Sequence, residues 1–366
     1  MSPIRIAVVD DSPFIRKALS WMLAEEPDLQ LVGTASRGED LLSNLQHWRA
    51  DLIILDLAMP GIGGLATLEE ILIRRPTPVI ILSDNLSQGV PLAIEALHSG
   101  ALDFVDKRDL SLVDFDALRK VLVGRIRQLT RESRKPAGVT ATAERPTPRG
   151  LHLLPSLLLV GASTGGPPAV ERVLRDLGPG LRCPVLIAQH MPPGFTRAFA
   201  ARLCSHLPLE VREATDGEPL LAGVAYVAPG GFHTLVESRR HRLIARLSPT
   251  ADKVQPSVDI LFVSAAAVVG PRAIAALLTG MGDDGAQGMA ELARVGSHTI
   301  AQDEATSAVF GMPRAAIEAG VARETLPLSL IGGRLRQLAS ATPDAAPLGS
   351  TGAFIQEGAP CSHEKL

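Results

Sequence analysis

The chain has 366 residues, a length that suggests two domains. With 46% hydrophobic and 20% charged residues it can bury a sizeable core, which argues against overall disorder. A formal net charge of −3 and 3% aromatic residues exclude a basic footprint for DNA and stacking platforms for single-stranded nucleic acid. Cys183, Cys204 and Cys361 are odd in number and scattered, so they make neither a disulfide framework nor a zinc spacing. No apolar run approaches the roughly 18 residues of a membrane span, and the first residues lead straight into a strand. The expectation is a soluble, cytoplasmic monomer that does not insert into a membrane.

In chain order, Ile4 to Val9 reads as an apolar strand ending at Asp10 and Asp11, and Phe14 to Leu23 has helical spacing. Leu31 to Ala35 is a second strand. Asp51 to Leu55 is a third, ending at Asp56, and Pro78 to Leu82 a fourth, ending at Ser83. Asp103 to Val105 is a short fifth, ending near Lys107. Helical patterns separate most of these runs, so the first half is expected to be a doubly wound parallel sheet.

The polar residues at these strand ends share one edge of such a sheet, and ligands bind there. Three carboxylates at one spot repel one another unless a cation sits among them, and oxygen-only ligands favour Mg²⁺. A lysine and a hydroxyl beside that cation are what a phosphoryl group needs for charge neutralisation. Any one of these aspartates alone reads as a solvated cap or turn, but five polar residues on one edge read as a site.

On Asp10-Asp11, Asp56 followed by Leu57-Ala58-Met59-Pro60-Gly61, Ser83, and Asp103-Phe104-Val105-Asp106-Lys107, residues 1–123 resemble a response-regulator receiver domain, which is flavodoxin-like. The resemblance implies that Asp56 accepts a phosphoryl group from a histidine kinase. It implies Mg²⁺ held by Asp11, Asp56 and the backbone carbonyl of Ala58, with Asp10 acting through water. It makes Ser83 and Lys107 contacts of the phosphoryl oxygens. Two positions depart from the pattern: Arg108 follows Lys107 where proline is usual, and Gly63-Gly64 stands where Asp-Gly is usual.

Phe115 to Thr130 has helical spacing, and the periodicity then stops. Residues 131–150 hold three prolines and more basic than acidic residues, so 124–154 reads as a helix end and a solvated linker. Residues 338–366 lack periodicity and read as a mostly disordered tail.

The second half, 155–337, begins with Leu157 to Val160, an apolar run that breaks at Gly161 and continues Ser163-Thr164-Gly165-Gly166-Pro167-Pro168. This reads as a buried strand, a glycine turn and a helix start. A serine there is either a helix cap or a nucleophile whose oxyanion the free N–H groups hold. Cys183 to Gln189 is another buried strand with His190 at its end. Gly223 to Ala228 is a third. Arg272 to Leu278 is a fourth, ending in Thr279-Gly280-Met281-Gly282-Asp283-Asp284-Gly285. His298 to Ala301 starts a fifth, and the runs between are helical, so this half too is expected to be parallel α/β. Ser163, His190 and Asp284 therefore fall beyond the carboxyl ends of three strands. Singly, His190 reads as a core or capping histidine and Asp284 as a turn residue. Together they read as a Ser-His-Asp triad. The order Ser, His, Asp differs from that of the α/β-hydrolases, so that fold is not inferred.

Residues 155–335 resemble the catalytic domain of the CheB family of chemotaxis methylesterases. The matching segments include Gly161-Ala162-Ser163-Thr164-Gly165-Gly166, Gln189-His190-Met191-Pro192, Pro256-Ser257-Val258-Asp259 and the run from Thr279 to Ala286. The resemblance implies a Rossmann-like domain that hydrolyses glutamate methyl esters and deamidates glutamines on chemoreceptors. Ser163, His190 and Asp284 would be catalytic, with no cofactor for the ester step. The candidate oxyanion donors are the backbone N–H groups of Thr164 and Met281, each in a glycine-rich turn beside a triad residue. It further implies that the receiver lies over the catalytic face until Asp56 is phosphorylated. An adaptor without catalysis would leave the filled triad unexplained, and a transcription factor would need a helix-turn-helix or basic face. An esterase for small molecules would leave the receiver unexplained.

Overall fold

The computed structural model describes residues 2–83, 89–107, 115–133, 156–250 and 254–340. Arg108, residues 134–154 of the expected helix end and linker (124–154) and residues 341–366 of the expected tail (338–366) lie outside the described residues. The first unit contains β1 (Ile4–Val9), α1 (Pro13–Ala24), β2 (Leu29–Ala35), α2 (Gly38–Trp48) and β3 (Leu52–Asp56). It continues with α3 (Gly63–Arg74), β4 (Val79–Ser83), α4 (Gly89–His98), β5 (Asp103–Asp106) and α5 (Phe115–Ser133). The five strands are parallel, in the order β2-β1-β3-β4-β5. β3, Leu-Ile-Ile-Leu-Asp, is buried along its whole length because helices cover both faces of the sheet. α1 starts where Ser12 accepts from the Ile15 N–H and Pro13 occupies the first turn.

α5 runs three residues past the expected helical spacing of Phe115–Thr130, to Ser133. Ile126 and Leu129 are buried in the same cluster as Leu122 and Val123. The apolar stripe of that helix faces the sheet through Leu129, within the expected helix end.

The second unit contains β6 (Leu157–Ala162), α6 (Gly166–Leu177), β7 (Val185–Gln189), α7 (Phe195–His206), β8 (Glu210–Glu213), β9 (Val224–Val227), β10 (His233–Arg239) and β11 (Arg242–Ser248). It continues with α8 (Val258–Val269), β12 (Ala273–Leu277), α9 (Ala286–Arg294), β13 (His298–Gln302), α10 (Met312–Glu318), β14 (Glu324–Leu326) and α11 (Leu328–Ser340). Seven parallel strands run in the order β14-β13-β12-β6-β7-β9-β8. From β6 the chain builds outward to β7, then returns to the other side of β6 to place β12. That reversal is a topological switch point, where a crevice opens beyond the strand ends.

Several elements here go beyond the sequence expectation. β10 and β11 form an antiparallel hairpin. Its turn residues Arg240 and His241 adopt positive φ of 48° and 65° without the Asn-Gly or Asp-Gly pair that marks such turns. α8 is apolar nearly all round, because it is buried between the sheet and this hairpin, so it lacks the one-sided periodicity of a surface helix. α11 runs to Ser340 with Ala339 buried, so the final helix extends past 337.

The two units pack on each other. One hydrophobic cluster joins Val309 and Met281 of the second unit to the first unit's Leu122 and Ile126, and Phe104 stacks on Phe195 with ring centroids 4.4 Å apart. α4 packs against α6 and α7, where His98 meets Glu171 at 2.6 Å.

Gly161, one residue before the end of β6, is a point of close approach between the sheet and α8. A Cβ there would lie 2.3 Å from Val258 Cγ1 and 3.1 Å from Leu277 Cδ1. Gly161→Ala should therefore cost about 1–3 kcal/mol of stability, read from urea denaturation midpoints. An unchanged midpoint would mean α8 shifts freely.

Candidate functional site

β6, β7 and β12 are neighbours, with β6 in the middle. Ser163 follows β6 directly, His190 follows β7 directly, and Asp284 lies seven residues beyond the end of β12, in the turn that opens α9. The strand order thus brings together three residues far apart in sequence. Ser163 donates to His190 Nδ1 at 3.0 Å, and His190 Nε2 donates to Asp284 Oδ2 at 2.7 Å. A carboxylate only accepts, so it fixes Nε2 as the protonated nitrogen and leaves Nδ1 free to take the serine proton. The Ser163 turn is closely supported. Gln189 donates through Nε2 to the Ser163 carbonyl at 2.8 Å, and Ser163 N–H donates to the Thr279 carbonyl at 3.0 Å. At Gly280 a Cβ would come within 2.8 Å of Ser163 Cβ and 2.2 Å of Met312 Sδ, so no larger residue fits beside the serine.

Asp284 is held by more than the histidine. Its Oδ2 also accepts from the Val258 N–H at 2.7 Å, and its Oδ1 accepts from Ser257 Oγ at 2.9 Å and the Asp259 N–H at 3.0 Å. Burial pushes this carboxyl up, but the His190 bond and charge and the α8 N–H groups outweigh it and hold it at about 2.

The first unit covers this crevice. The Thr164 hydroxyl donates to Asp103 Oδ2 at 3.1 Å, and the Gly165 N–H donates to the Leu102 carbonyl at 3.0 Å. Arg125 ion-pairs with Asp103 at 3.4 Å and donates to the Phe104 carbonyl at 2.8 Å. The result is a cavity of about 590 Å³ lined by Ser163, His190, Met281 and Asp284 from below and by Lys120, Val121 and Arg125 of α5 from above.

A second constellation sits at the switch point of the first sheet, between β1 and β3. Oxygens of Asp10, Asp11 and Asp56 lie within 4.8 Å of one another. Asp10 and Asp56 are buried, while Asp11 is exposed. Lys107 Nζ lies 3.0 Å from Asp10 Oδ2 and 2.8 Å from Asp56 Oδ2, and among the described residues neither oxygen accepts any other hydrogen bond. Burial pushes both carboxyls up from their ordinary value, and repulsion from Asp56 adds to the rise at Asp10. Lys107 is raised, since its two carboxylate partners outweigh burial. One ammonium against three carboxylates leaves an excess of negative charge on hard oxygen donors, which suits a divalent cation such as Mg²⁺. Ala58 follows Asp56 closely, its N–H donating to Asp56 Oδ1 at 3.1 Å. The backbone of Ser83 ends β4 beside β5, but its side chain lies outside the described residues.

Of the residues singled out from sequence, the structure brings Ser163, His190 and Asp284 together, and Asp10, Asp11, Asp56 and Lys107 together. Sequence reasoning missed the supports: Ser257 and Asp259 behind Asp284, and Leu102 and Asp103 against the serine turn. Pro256-Ser257 before an apolar run was a readable helix-start signal. The contact of Asp103 with Thr164 has no local signature, because it joins two separately folded sheets.

Since Asp284 is held near 2 when folded against about 3.9 in an unfolded chain, it adds stability that is complete above the unfolded value. That stability is lost as pH falls through the folded one. The contribution is on the order of 2 kcal/mol. Urea unfolding at about pH 5 and about pH 2.5 should show this loss, and Asp284→Asn should reduce it by a comparable amount. An Asn variant with the full wild-type pH dependence would rule out this source.

Among known proteins, the family model described as CheB methylesterase matches residues 158–335, and the response regulator receiver domain model matches residues 6–118. The protein-glutamate methylesterase/protein-glutamine glutaminase of Symbiobacterium thermophilum is 41% identical over 345 residues, covering 90% of this chain and 95% of its own. That of a Nocardioides species is 40% identical over 368 residues, covering 96% of this chain and 100% of its own. The crystal structure of the Thermotoga maritima CheB methylesterase catalytic domain is 37% identical and covers 51% of this chain and 100% of its own, with a TM-score of 0.48. The response regulator domain of Thermotoga maritima CheB is 33% identical and covers 35% of this chain and 97% of its own, with a TM-score of 0.32.

Proposed function

This chain belongs to the CheB family of receiver-linked protein-glutamate methylesterases/protein-glutamine glutaminases, and from that premise we propose that it is a phosphorylation-controlled hydrolase acting through Ser163, His190 and Asp284. It demethylates glutamate methyl esters and deamidates glutamines on chemoreceptors in the cytoplasm, in a two-component chemosensory pathway. The observation that carries this reading is the continuous Ser163–His190–Asp284 hydrogen-bond chain at the floor of the covered cavity.

In the acylation step Ser163 Oγ attacks the side-chain carbonyl while its proton passes to His190 Nδ1. The oxyanion rests on the N–H groups of Thr164 and Met281. The imidazolium, stabilised by Asp284, returns the proton to the leaving group, so methanol departs from an ester and ammonia from a glutamine. Water then attacks the acyl-serine carbonyl, giving its proton to His190; the Ser163–acyl bond breaks as the imidazolium returns that proton to Ser163 Oγ, and glutamate is released.

In the receiver, residues 1–133, Asp56 is the phosphoacceptor, with a histidine kinase as donor. Asp10, Asp11, Asp56 and the Ala58 carbonyl would hold Mg²⁺, which supplies charge neutralisation for the incoming phosphoryl group. Lys107 and Ser83 take the phosphoryl oxygens. β5 supports a link between the two sites. Lys107, just past its carboxyl end, contacts Asp56, and Leu102 and Asp103 at its start contact the serine turn. A phosphoryl group on Asp56 adds negative charge where Lys107 is already engaged, so it biases the packing of β5 and α5 against the catalytic unit.

The test is methanol release from membranes carrying receptors labelled on the methyl ester. Wild type should release methanol, and more with a small phosphoryl donor and Mg²⁺. Ser163→Ala should lower the rate by roughly 10³-fold or more, and Asp56→Asn should abolish stimulation by the donor. Release unaffected by Ser163→Ala would overturn the nucleophile assignment.

The stacking of Phe104 on Phe195 makes a second expectation. Such a pair is worth about 0.5–1.5 kcal/mol beyond its buried area, so Phe104→Ala should raise donor-free methanol release by roughly threefold to tenfold. A variant with unchanged or lower donor-free release would show that this contact does not restrain the enzyme.

A further inference from the structure

We propose that Ser257 and Asp259, at the start of α8, are positioning residues for the reaction: together they aim the Asp284 carboxylate at His190. The inference rests on the triad reading above. All the donors described on Asp284 other than His190 come from three consecutive residues, Ser257, Val258 and Asp259. The two oxygens are each used twice, Oδ2 by His190 and Val258 and Oδ1 by Ser257 and Asp259. A carboxylate so held has one orientation, and rotating it to spare one donor would break the others.

The Ser257 hydroxyl is itself directed. Its oxygen accepts from the Ile260 N–H at 3.3 Å as the cap of α8, which leaves its single proton for Asp284. Ser257 is 1% exposed, so water does not compete for that proton. Asp259 acts in the reverse direction. Its Oδ1 accepts from the N–H groups of Gly285 and Gly288, each at 2.8 Å, and so ties the turn that carries Asp284 to α8. α8 gives donors to Asp284 and takes donors from the residues just after it. The clamp is thus reciprocal, and it holds the far end of the Ser163–His190–Asp284 chain.

Loss of the partner behind a metal-ligating histidine costs roughly 10–100-fold in activity, and Ser257 stands behind the His190–Asp284 pair in the same way. The readout is the rate at which a fluorophosphonate labels Ser163 in the full-length chain, with phosphoryl donor and Mg²⁺ present. Ser257→Ala should slow labelling at least roughly tenfold, and Ser257→Thr should restore it to within about twofold of wild type. Because Ser257 acts through Asp284, Ser257→Ala should produce no further slowing in an Asp284→Ala background, measured at higher reagent concentration. A helix cap with a structural role alone would slow labelling alike in both backgrounds, and that result would overturn the proposal. So would wild-type labelling rates in Ser257→Ala. If the alanine variant lacks a cooperative melting transition, Ser257→Gly, a cap that helices tolerate but that also lacks the hydroxyl, serves instead. Wild-type labelling that Ser163→Ala does not remove would overturn the triad reading itself, an outcome distinct from failure of the clamp.

Discussion

The pairing of β6 with β12 on one side and β7 on the other is the constraint on which the site depends. β6 is apolar from Leu157 to Val160 and wholly buried, so its only stable place is inside a sheet covered on both faces. Its ladder to β12 aligns Leu277 with Gly161, and its ladder to β7 aligns Gln189 with Ala162. These registers bring the three strands to an end at one level. A one-residue slip would turn Ser163 or His190 to the opposite face. The glycines at 161 and 280 allow α8 and the Met281 turn to close on that edge, so Ser163 sits in a crowded turn.

The same architecture is used twice with different chemistry. In the receiver, the switch point between β1 and β3 gathers carboxylates around one lysine, and burial makes that negative charge costly enough to want a cation. In the catalytic unit, the switch point between β6 and β12 gathers a hydroxyl, an imidazole and a carboxylate, and here hydrogen bonds keep the carboxylate charged despite burial. The difference lies in the donors: Asp284 faces the start of a helix, whereas Asp10 and Asp56 face each other. β5 lies between the two centres: Lys107, just past one end, contacts Asp56, and Asp103 at the other end accepts from the Thr164 hydroxyl.

Much of this was legible in the chain. Strands such as Leu52–Asp56 and Val185–Gln189 are fully buried and therefore read as unbroken apolar runs, and their polar end residues mark the edge where ligands bind. Elements whose burial comes from a particular neighbour were not legible. The β10–β11 hairpin turns at Arg240 and His241, residues with no turn signature, and α8 has no polar face because that hairpin covers it. The helical spacing from Phe115 to Thr130 was legible, and α5 runs three residues beyond it, to Ser133.

Sequence alone determined the fold class and placed the polar residues at strand ends, because strand burial and strand-end chemistry are written locally in residue type and order. Only the tertiary structure decided which residues hold Asp284, how Asp103 and Leu102 reach the serine turn, and that α5 roofs the cavity. Those contacts join segments from about 25 to more than 60 residues apart, or separate sheets altogether. Their existence depends on how whole layers pack, a property that no local stretch of the chain encodes.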